Sequence, residues 1–407
     1  MKKGLFSPRK HPGQLEFVTL SAMLIATVAF SIDGMLPAEP EIAQALSPDN
    51  LNRVKLVIGS FFLGLGIGTV FSGPLSDTFG RRPIIIWGGV LYSIAAFMCW
   101  RAQSLDVLLI GRVLQGLGAA APRTVVMAIV RDLYKGRRMA QIMSFIMAVF
   151  VLVPAAAPLF GQQIIRLFGW QALFLAFIIF SVTALVWMGH RLPETLPAES
   201  RRPLEITALI SATREVFSHR IVVVSIFIQA LTQAVLIANL SSVQGIFSLT
   251  FNREESFPLW FATTAVLSGS ASLFNARIVM NVGMRKVIHT TYIAVLFVAI
   301  LQVIVIAAIP MDSMIRFATF YIWLVCTFAM LGLTMGNLNT LAMEPVGHIA
   351  GLAASIIAAL STVLAVVVSM PVAQAFDGTE GPLAIGVLIY IVLILALVPL
   401  LGKGRDA

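Results

Sequence analysis

Gly73-Pro74-Leu75-Ser76-Asp77-Thr78-Phe79-Gly80-Arg81-Arg82-Pro83 is a polar turn between two apolar runs, one beginning near Leu56 and the next near Pro83. Gly73 and Pro74 are expected to break the first run near a membrane surface, and Gly80 permits a tight reversal. Asp77 lies within reach of Arg81 and Arg82. It could equally meet a helix N-terminus, where a carboxylate is favoured.

The flanking runs are typical of the whole chain. Of 407 residues, 58% are hydrophobic and 12% charged, with a mean hydropathy of +0.93. Soluble domains carry about 25% charged residues. A chain this apolar cannot hide its surplus in one water-solvated core, so lipid must solvate much of its surface. Soluble classes are excluded.

A spanning helix needs about 20 mostly apolar residues. Such runs begin near Phe17, Leu56, Pro83, Val107, Ala140, Gln171, Ile221, Phe257, Val287, Met314, Pro345 and Pro382, which predicts an all-α membrane protein of twelve transmembrane helices. The first run is too long for a signal-peptide core and lacks a small-residue cleavage site. It reads as a spanning helix whose basic tail, Lys2, Lys3, Arg9 and Lys10, stays inside.

With twelve spans both termini are cytoplasmic, and most of the 28 Lys and Arg fall on cytoplasmic connections, as the positive-inside rule requires. Arg53, Lys55, Arg101, Arg166, Arg253 and Arg316 fall on external turns. The net charge of +9 therefore reads as a topology signal beside anionic lipid, with no nucleic-acid partner.

The longest polar connection, 191–220, holds Pro193, Pro197 and Pro203 and includes Arg201 and Arg202. It divides a six-helix half at 1–190 from another at 221–407. Gly80-Arg81-Arg82 recurs as Gly283-Met284-Arg285, 203 positions later, which suggests a repeat. Met280 stands where the acid would fall in the second copy.

Charged residues inside spans are functional hypotheses by default. Asp33, in Phe30-Ser31-Ile32-Asp33-Gly34-Met35-Leu36-Pro37, is the one acid squarely inside an apolar run. It lies about 24 Å from the inner end of the first helix at 1.5 Å per residue. Arg112 enters the fourth helix from the opposite side to a comparable height. Asp33 and Arg112 are expected to form a switchable pair, opened when the acid takes a proton; a static pair, or an Asp33 among the external headgroups, is the blander reading. Arg112 could also snorkel outward.

Arg123 lies three turns beyond Arg112, and the two would make a basic stripe along a cavity wall. Snorkelling of Arg123 to the cytoplasmic interface stands level with that reading.

Gly116 and Gly118 allow close approach of a neighbouring helix. Pro154, Pro158 and Gly161 in the fifth helix are expected to bend it. Gln115, Arg123, Gln233, Asn239 and Asn337 are candidates to line a substrate cavity; uncharged polar residues of this kind also bond across helices. Glu344-Pro345 opens the eleventh helix, an ordinary place for an acid.

The five histidines, His11 among them, lie in loops or near ends, which argues against a histidine proton relay. Cys99 and Cys326 sit in apolar runs and suggest neither a disulfide nor a metal site. With no Walker-type loop or acid cluster, no metal, no cofactor and no enzymatic chemistry are expected.

The loop 73–83 closely resembles the signature loop of the major facilitator superfamily. Leu109-Ile110-Gly111-Arg112-Val113-Leu114-Gln115-Gly116 is similar to its fourth-helix motif, and the segment with Pro154, Pro158 and Gly161 to its antiporter motif, with departures at Ala157 and Gln162. Ser31-Ile32-Asp33-Gly34-Met35-Leu36-Pro37-Ala38-Glu39-Pro40-Glu41-Ile42-Ala43, Ala128-Ile129-Val130-Arg131-Asp132-Leu133 and Leu192-Pro193-Glu194-Thr195-Leu196 resemble the Bcr/CflA branch of drug:proton antiporters.

The resemblance implies a monomeric bacterial inner-membrane carrier that exports drugs or other small amphipathic molecules against protons by alternating access. Arg112 is implied in proton coupling. Gly73, Asp77, Gly80, Arg81 and Arg82 are implied as a conformational latch. Transport of one endogenous metabolite on the same fold, in either direction, is the nearest alternative. A non-transporting receptor or scaffold is the second class, disfavoured because it has no use for an intramembrane Asp and Arg.

Overall fold

The computed structural model describes residues 12–201 and 203–402. The tail bases Lys2, Lys3, Arg9 and Lys10, together with His11 and Arg202, lie outside the described residues. The chain is α1 (Gln14–Asp33), α2 (Glu39–Leu46), α3 (Leu56–Phe79), α4 (Arg81–Trp100), α5 (Leu105–Leu133), α6 (Gly136–Phe168) and α7 (Gln171–Arg191), followed by α8 (Ile206–Ser218), α9 (Arg220–Gly245), α10 (Phe257–Val282), α11 (Met284–Ala308), α12 (Met314–Met343), α13 (Ala350–Gln374) and α14 (Gly381–Leu397).

All but α2 and α8 are long, and among the described residues eleven continuous helical stretches are long and apolar enough to cross a membrane. One of them, Met314–Gln374, holds both α12 and α13, joined through a 3-10 segment with a non-helical Val346. The structure thus carries the twelve long helices that the apolar runs predict.

Local chemistry fixes the helix ends. The Ser104 hydroxyl accepts from the Val107 N–H at 3.4 Å to start α5, and the Ser313 hydroxyl caps α12 at the Ile315 N–H. α3 runs unbroken through Gly73 and Pro74 to Phe79. The break expected at Gly73 falls instead at Gly80, where φ is +103°, a left-handed conformation that Gly alone adopts without strain. Gly283, with φ +85°, makes the matching turn between α10 and α11.

Contacts divide the chain into two units, 1–38 with 60–209, and 39–59 with 210–407. Residues 39–59, which run up to and include the first residues of α3, thus join the second unit, a membership that the sequence division at 191–220 did not contain. In the first unit the core is aliphatic and aromatic. Phe17, Leu20 and Leu24 of α1 meet Val125 and Ile129 of α5, Ile142 and Ile146 of α6 and Met188 of α7.

The outward faces are equally apolar. Trp87, Ile94 and Phe97 form an exposed stripe on α4, and Phe297, Leu301 and Ile304 another on α11. Continuous apolar surface of this extent has lipid as its solvent.

Candidate transport site

Asp33 is the last residue of α1. The chain turns there through Gly34 and Met35 into a short 3-10 segment, Leu36–Ala38, so the acid sits at a helix break and not in mid-helix as the apolar run implied. It is buried, at 6% exposure. Among the described residues no hydrogen bond or ion pair engages its carboxylate.

Gly161 of α6 faces the same break. A Cβ there would overlap the Gly34 carbonyl, so only glycine lets α6 close on the residue that follows Asp33. α6 itself runs through Pro154 and Pro158 without interruption. The segment therefore supplies a close approach where a bend was expected.

Arg112 of α5 is fully buried. Its guanidinium donates to Gln115 Oε1 at 2.6 Å and to the Ser31 carbonyl at 3.1 Å, and lies 4.5 Å from the centre of the Phe61 ring. The Ser31 hydroxyl bonds Tyr92 of α4 and the Thr27 carbonyl at 2.6 Å.

The Asp33–Arg112 pair is open in this state, as a switchable pair allows. The reason is helical geometry: residues two apart point to different faces, so the turn that presents Ser31 to α5 carries Asp33 elsewhere. Arg112 does not snorkel outward here, since it is completely buried.

Small residues make this approach possible. A Cβ on Gly118 of α5 would come within 2.5 Å of the Gly88 carbonyl and 2.6 Å of the Tyr92 N–H nitrogen on α4, which draws Tyr92 into reach of Ser31. Arg123, by contrast, is exposed. Exposure of this kind suits a cavity wall as well as the cytoplasmic interface.

The loop signature builds a charged cluster in the first unit. Arg81 donates from Nε to Asp132 at 2.9 Å, and from its terminal nitrogen to Ser76 at 2.8 Å and to Asp77. Arg82 donates to the Gly189 carbonyl at 2.6 Å.

The N-terminus of α4 is held by Glu194, which accepts from the Arg81 N–H at 2.9 Å and the Arg82 N–H at 3.1 Å. The same carboxylate accepts from the N–H groups of Thr195 and Leu196. A carboxylate at exposed helix N–H groups satisfies donors that have no partner within the helix. The role considered for Asp77 at a helix N-terminus is thus taken by Glu194.

In the second unit Gln233 accepts from Thr362 and donates to Ser361, each at 3.0 Å, joining α9 to α13. Asn337 donates to Asn275 at 3.0 Å and joins α12 to α10. Asn239 is fully buried and donates to the Val235 carbonyl of its own helix. Of the two readings open for Gln233 and Asn337, the geometry supplies cross-helix bonds.

Arg285, in the second copy of the loop, approaches Glu344 at 3.7 Å, so an acid of the α12–α13 connection stands in for the one that Met280 lacks. Thr232 repeats the pattern of Ser31. Its hydroxyl bonds Tyr292 at 2.6 Å and the Ile228 carbonyl at 2.7 Å.

Sequence reading assigned no role to Tyr92, Phe61, Asp132 or Glu194. The last two stand in the segments at 128–133 and 192–196, so only their motif marked them. Lys55 and Arg316, expected on external turns, are buried at 2% and 7% exposure. Lys55 pairs with Glu39 at 2.9 Å and Arg316 with Glu380 at 2.6 Å. A cation brought out of water in this way needs a partner.

Two units of six long apolar helices, each holding buried polar bonds between its helices, define a polytopic membrane transporter. A family model, Major Facilitator Superfamily, matches residues 19–370, and the chain belongs to that family.

The uncharacterized MFS-type transporter YdgK of Bacillus subtilis is 27% identical over 97% of this chain and 96% of its own. A bicyclomycin resistance protein homolog of Haemophilus influenzae is 28% identical over 67% of this chain and 69% of its own. The multidrug resistance protein MdtL of Escherichia coli is 30% identical over 63% and 64%. These names accord with the Bcr/CflA branch that the motifs resemble. Among solved structures, that of a D-xylose-proton symporter matches with a TM-score of 0.76 at 14% identity, over 96% of this chain and 99% of that one; it is a likeness of fold.

Proposed function

We propose that this chain exports small amphipathic molecules, drugs among them, across a bacterial inner membrane in exchange for protons, with both termini on the cytoplasmic side. The observation that carries the reading is Asp33, a buried carboxylate at a helix break with no hydrogen-bonding or ionic partner among the described residues. A charge in such surroundings is costly unless it is neutralised. Neutralisation must then come from outside the chain, by a proton or by a cationic cargo. Exchange of one for the other at a single carboxylate couples their flows.

Arg112 acts as the modulator. Through the Ser31 carbonyl it grips the last turn of α1, so a shift of that turn and a change at Asp33 go together. The cluster at Arg81, Asp77 and Asp132 is the latch that holds one state of the cycle. Relatives named for bicyclomycin and multidrug resistance support the choice of cargo.

The test is export of a fluorescent lipophilic cation from proteoliposomes under an imposed pH gradient, wild type against Asp33→Asn. Flux that follows the gradient in wild type and is lost in the variant is the expected result. Flux that needs protons and cargo to move the same way would make the protein an importer.

A further inference from the structure

Helices α9, α13 and α14 of the second unit leave a groove of about 300 Å³ between them. Phe227 and Leu231 of α9, Leu364 and Val368 of α13, and Leu393 and Leu397 of α14 line it. Each pair is four residues apart, so each helix turns one apolar face to the groove. Ala230 is buried at its floor, whereas Phe227, Leu393 and Ala396 are exposed at its rim. The Tyr390 hydroxyl donates to the Val368 carbonyl at 2.7 Å and ties α14 to α13 beside it.

The three helices are long and apolar enough to span the bilayer, so lipid and not water meets this groove. The lining side chains offer no hydrogen bond. A concave apolar surface left empty forfeits dispersion contacts along its length. Hydrocarbon chain is the filling that the setting supplies.

A base stands in line with the groove. Arg220 opens α9 seven residues before Phe227. Seven residues make nearly two full turns, so Arg220 lies on the groove face of α9, about 10 Å toward the helix start. Its side chain is exposed, and among the described residues no hydrogen bond or ion pair engages it. Arg214 of α8, six residues earlier, is exposed and unengaged in the same way. The one acid between them in sequence, Glu215, bonds His348 Nε2 at 2.8 Å. Bases at the end of a spanning segment attract anionic headgroups.

We infer that this groove binds an anionic phospholipid of the bilayer, with its phosphodiester head at Arg220 and one acyl chain along Phe227, Leu231, Leu393 and Leu397. Arg214 adds a second positive charge to the same connection. On the proposed topology the site faces the inner leaflet. The inference does not depend on what the chain transports.

The test is native mass spectrometry of the detergent-solubilised full chain, titrated with dioleoyl phosphatidylglycerol. Dioleoyl phosphatidylcholine is the zwitterionic comparator, and glycerophosphoglycerol supplies the head without chains. Wild type is expected to hold one phosphatidylglycerol about five-fold more tightly than phosphatidylcholine, and to bind the head alone far more weakly. Arg220→Gln is expected to abolish that preference and to change phosphatidylcholine less than two-fold. Ala396→Trp fills the groove from its rim and is expected to weaken both lipids. Lys286→Gln removes an exposed base from the first turn of α11 and is expected to change neither. All three replaced side chains are exposed, so the variants should fold.

Equal retention of the two lipids by wild type, unchanged phosphatidylglycerol affinity in Ala396→Trp, or a loss in Lys286→Gln equal to that in Arg220→Gln overturns the site. Glycerophosphoglycerol bound as tightly as the whole lipid would make it a site for soluble phosphates and overturn it too. A dimer that disappears in Ala396→Trp would replace the lipid with a second copy of the chain.

Discussion

Arg112 reaches the main-chain carbonyl of Ser31 at 3.1 Å, two residues before Asp33, and so ties α5 to the last turn of α1 by way of the backbone. The guanidinium also holds Gln115 and lies against Phe61. Charge-assisted bonds from a planar fork cannot be reproduced by an ammonium. Arg112→Lys should therefore fold, keep dye binding within a few-fold, and lose at least ten-fold in gradient-driven flux. Equal flux in the two proteins would remove Arg112 from the coupling account.

Gly161 supplies a different kind of control on the same turn. A methyl group at this position overlaps the Gly34 carbonyl, and overpacking of this kind typically costs about 1–3 kcal/mol. Gly161→Ala should lower the apparent melting temperature by several degrees and slow transport. Gly336→Ala, where a Cβ meets open space, should do neither.

Much of this architecture is legible in the sequence. Hydropathy alone marks twelve long helices, because each needs about 20 apolar residues to cross lipid. The turn at 80–82 and its echo at 283–285 are visible as glycine followed by bases, and both glycines have positive φ. The pairing of side chains is less legible. Residue spacing puts Asp33 and Arg112 at matched depth, but depth along a helix says nothing of the face, and the two-residue offset from Ser31 decides the partner. Lys55 and Arg316 look like turn residues by position; their burial depends on acids 16 residues before and 64 residues after them, which no local pattern reports.

The cluster around Arg81 predicts a kinetic effect. Glu194 satisfies two N–H groups at the start of α4 and two of its own segment, and so positions Arg81 toward Asp132 and Asp77. Glu194→Ala should reduce the transport rate about five- to ten-fold, with cargo affinity changed less than two-fold. Glu194→Gln, which keeps an acceptor oxygen, should recover part of the rate. A loss of affinity as large as the loss of rate would point to a general defect of folding.

Coupling at one carboxylate also has a signature without a gradient. Asp33→Asn should still exchange labelled dye across the membrane down its own concentration gradient, and that exchange should depend less on pH than wild-type exchange does. Matching pH profiles for the two proteins would place the titrating group elsewhere.

The central claim is that a proton and a cationic cargo compete for Asp33. It is tested most directly by adding ethidium to purified protein in unbuffered detergent solution with a pH indicator. The account predicts proton release by wild type on ethidium binding and none by Asp33→Asn, although the variant still binds the dye. Equal proton release by both would contradict it.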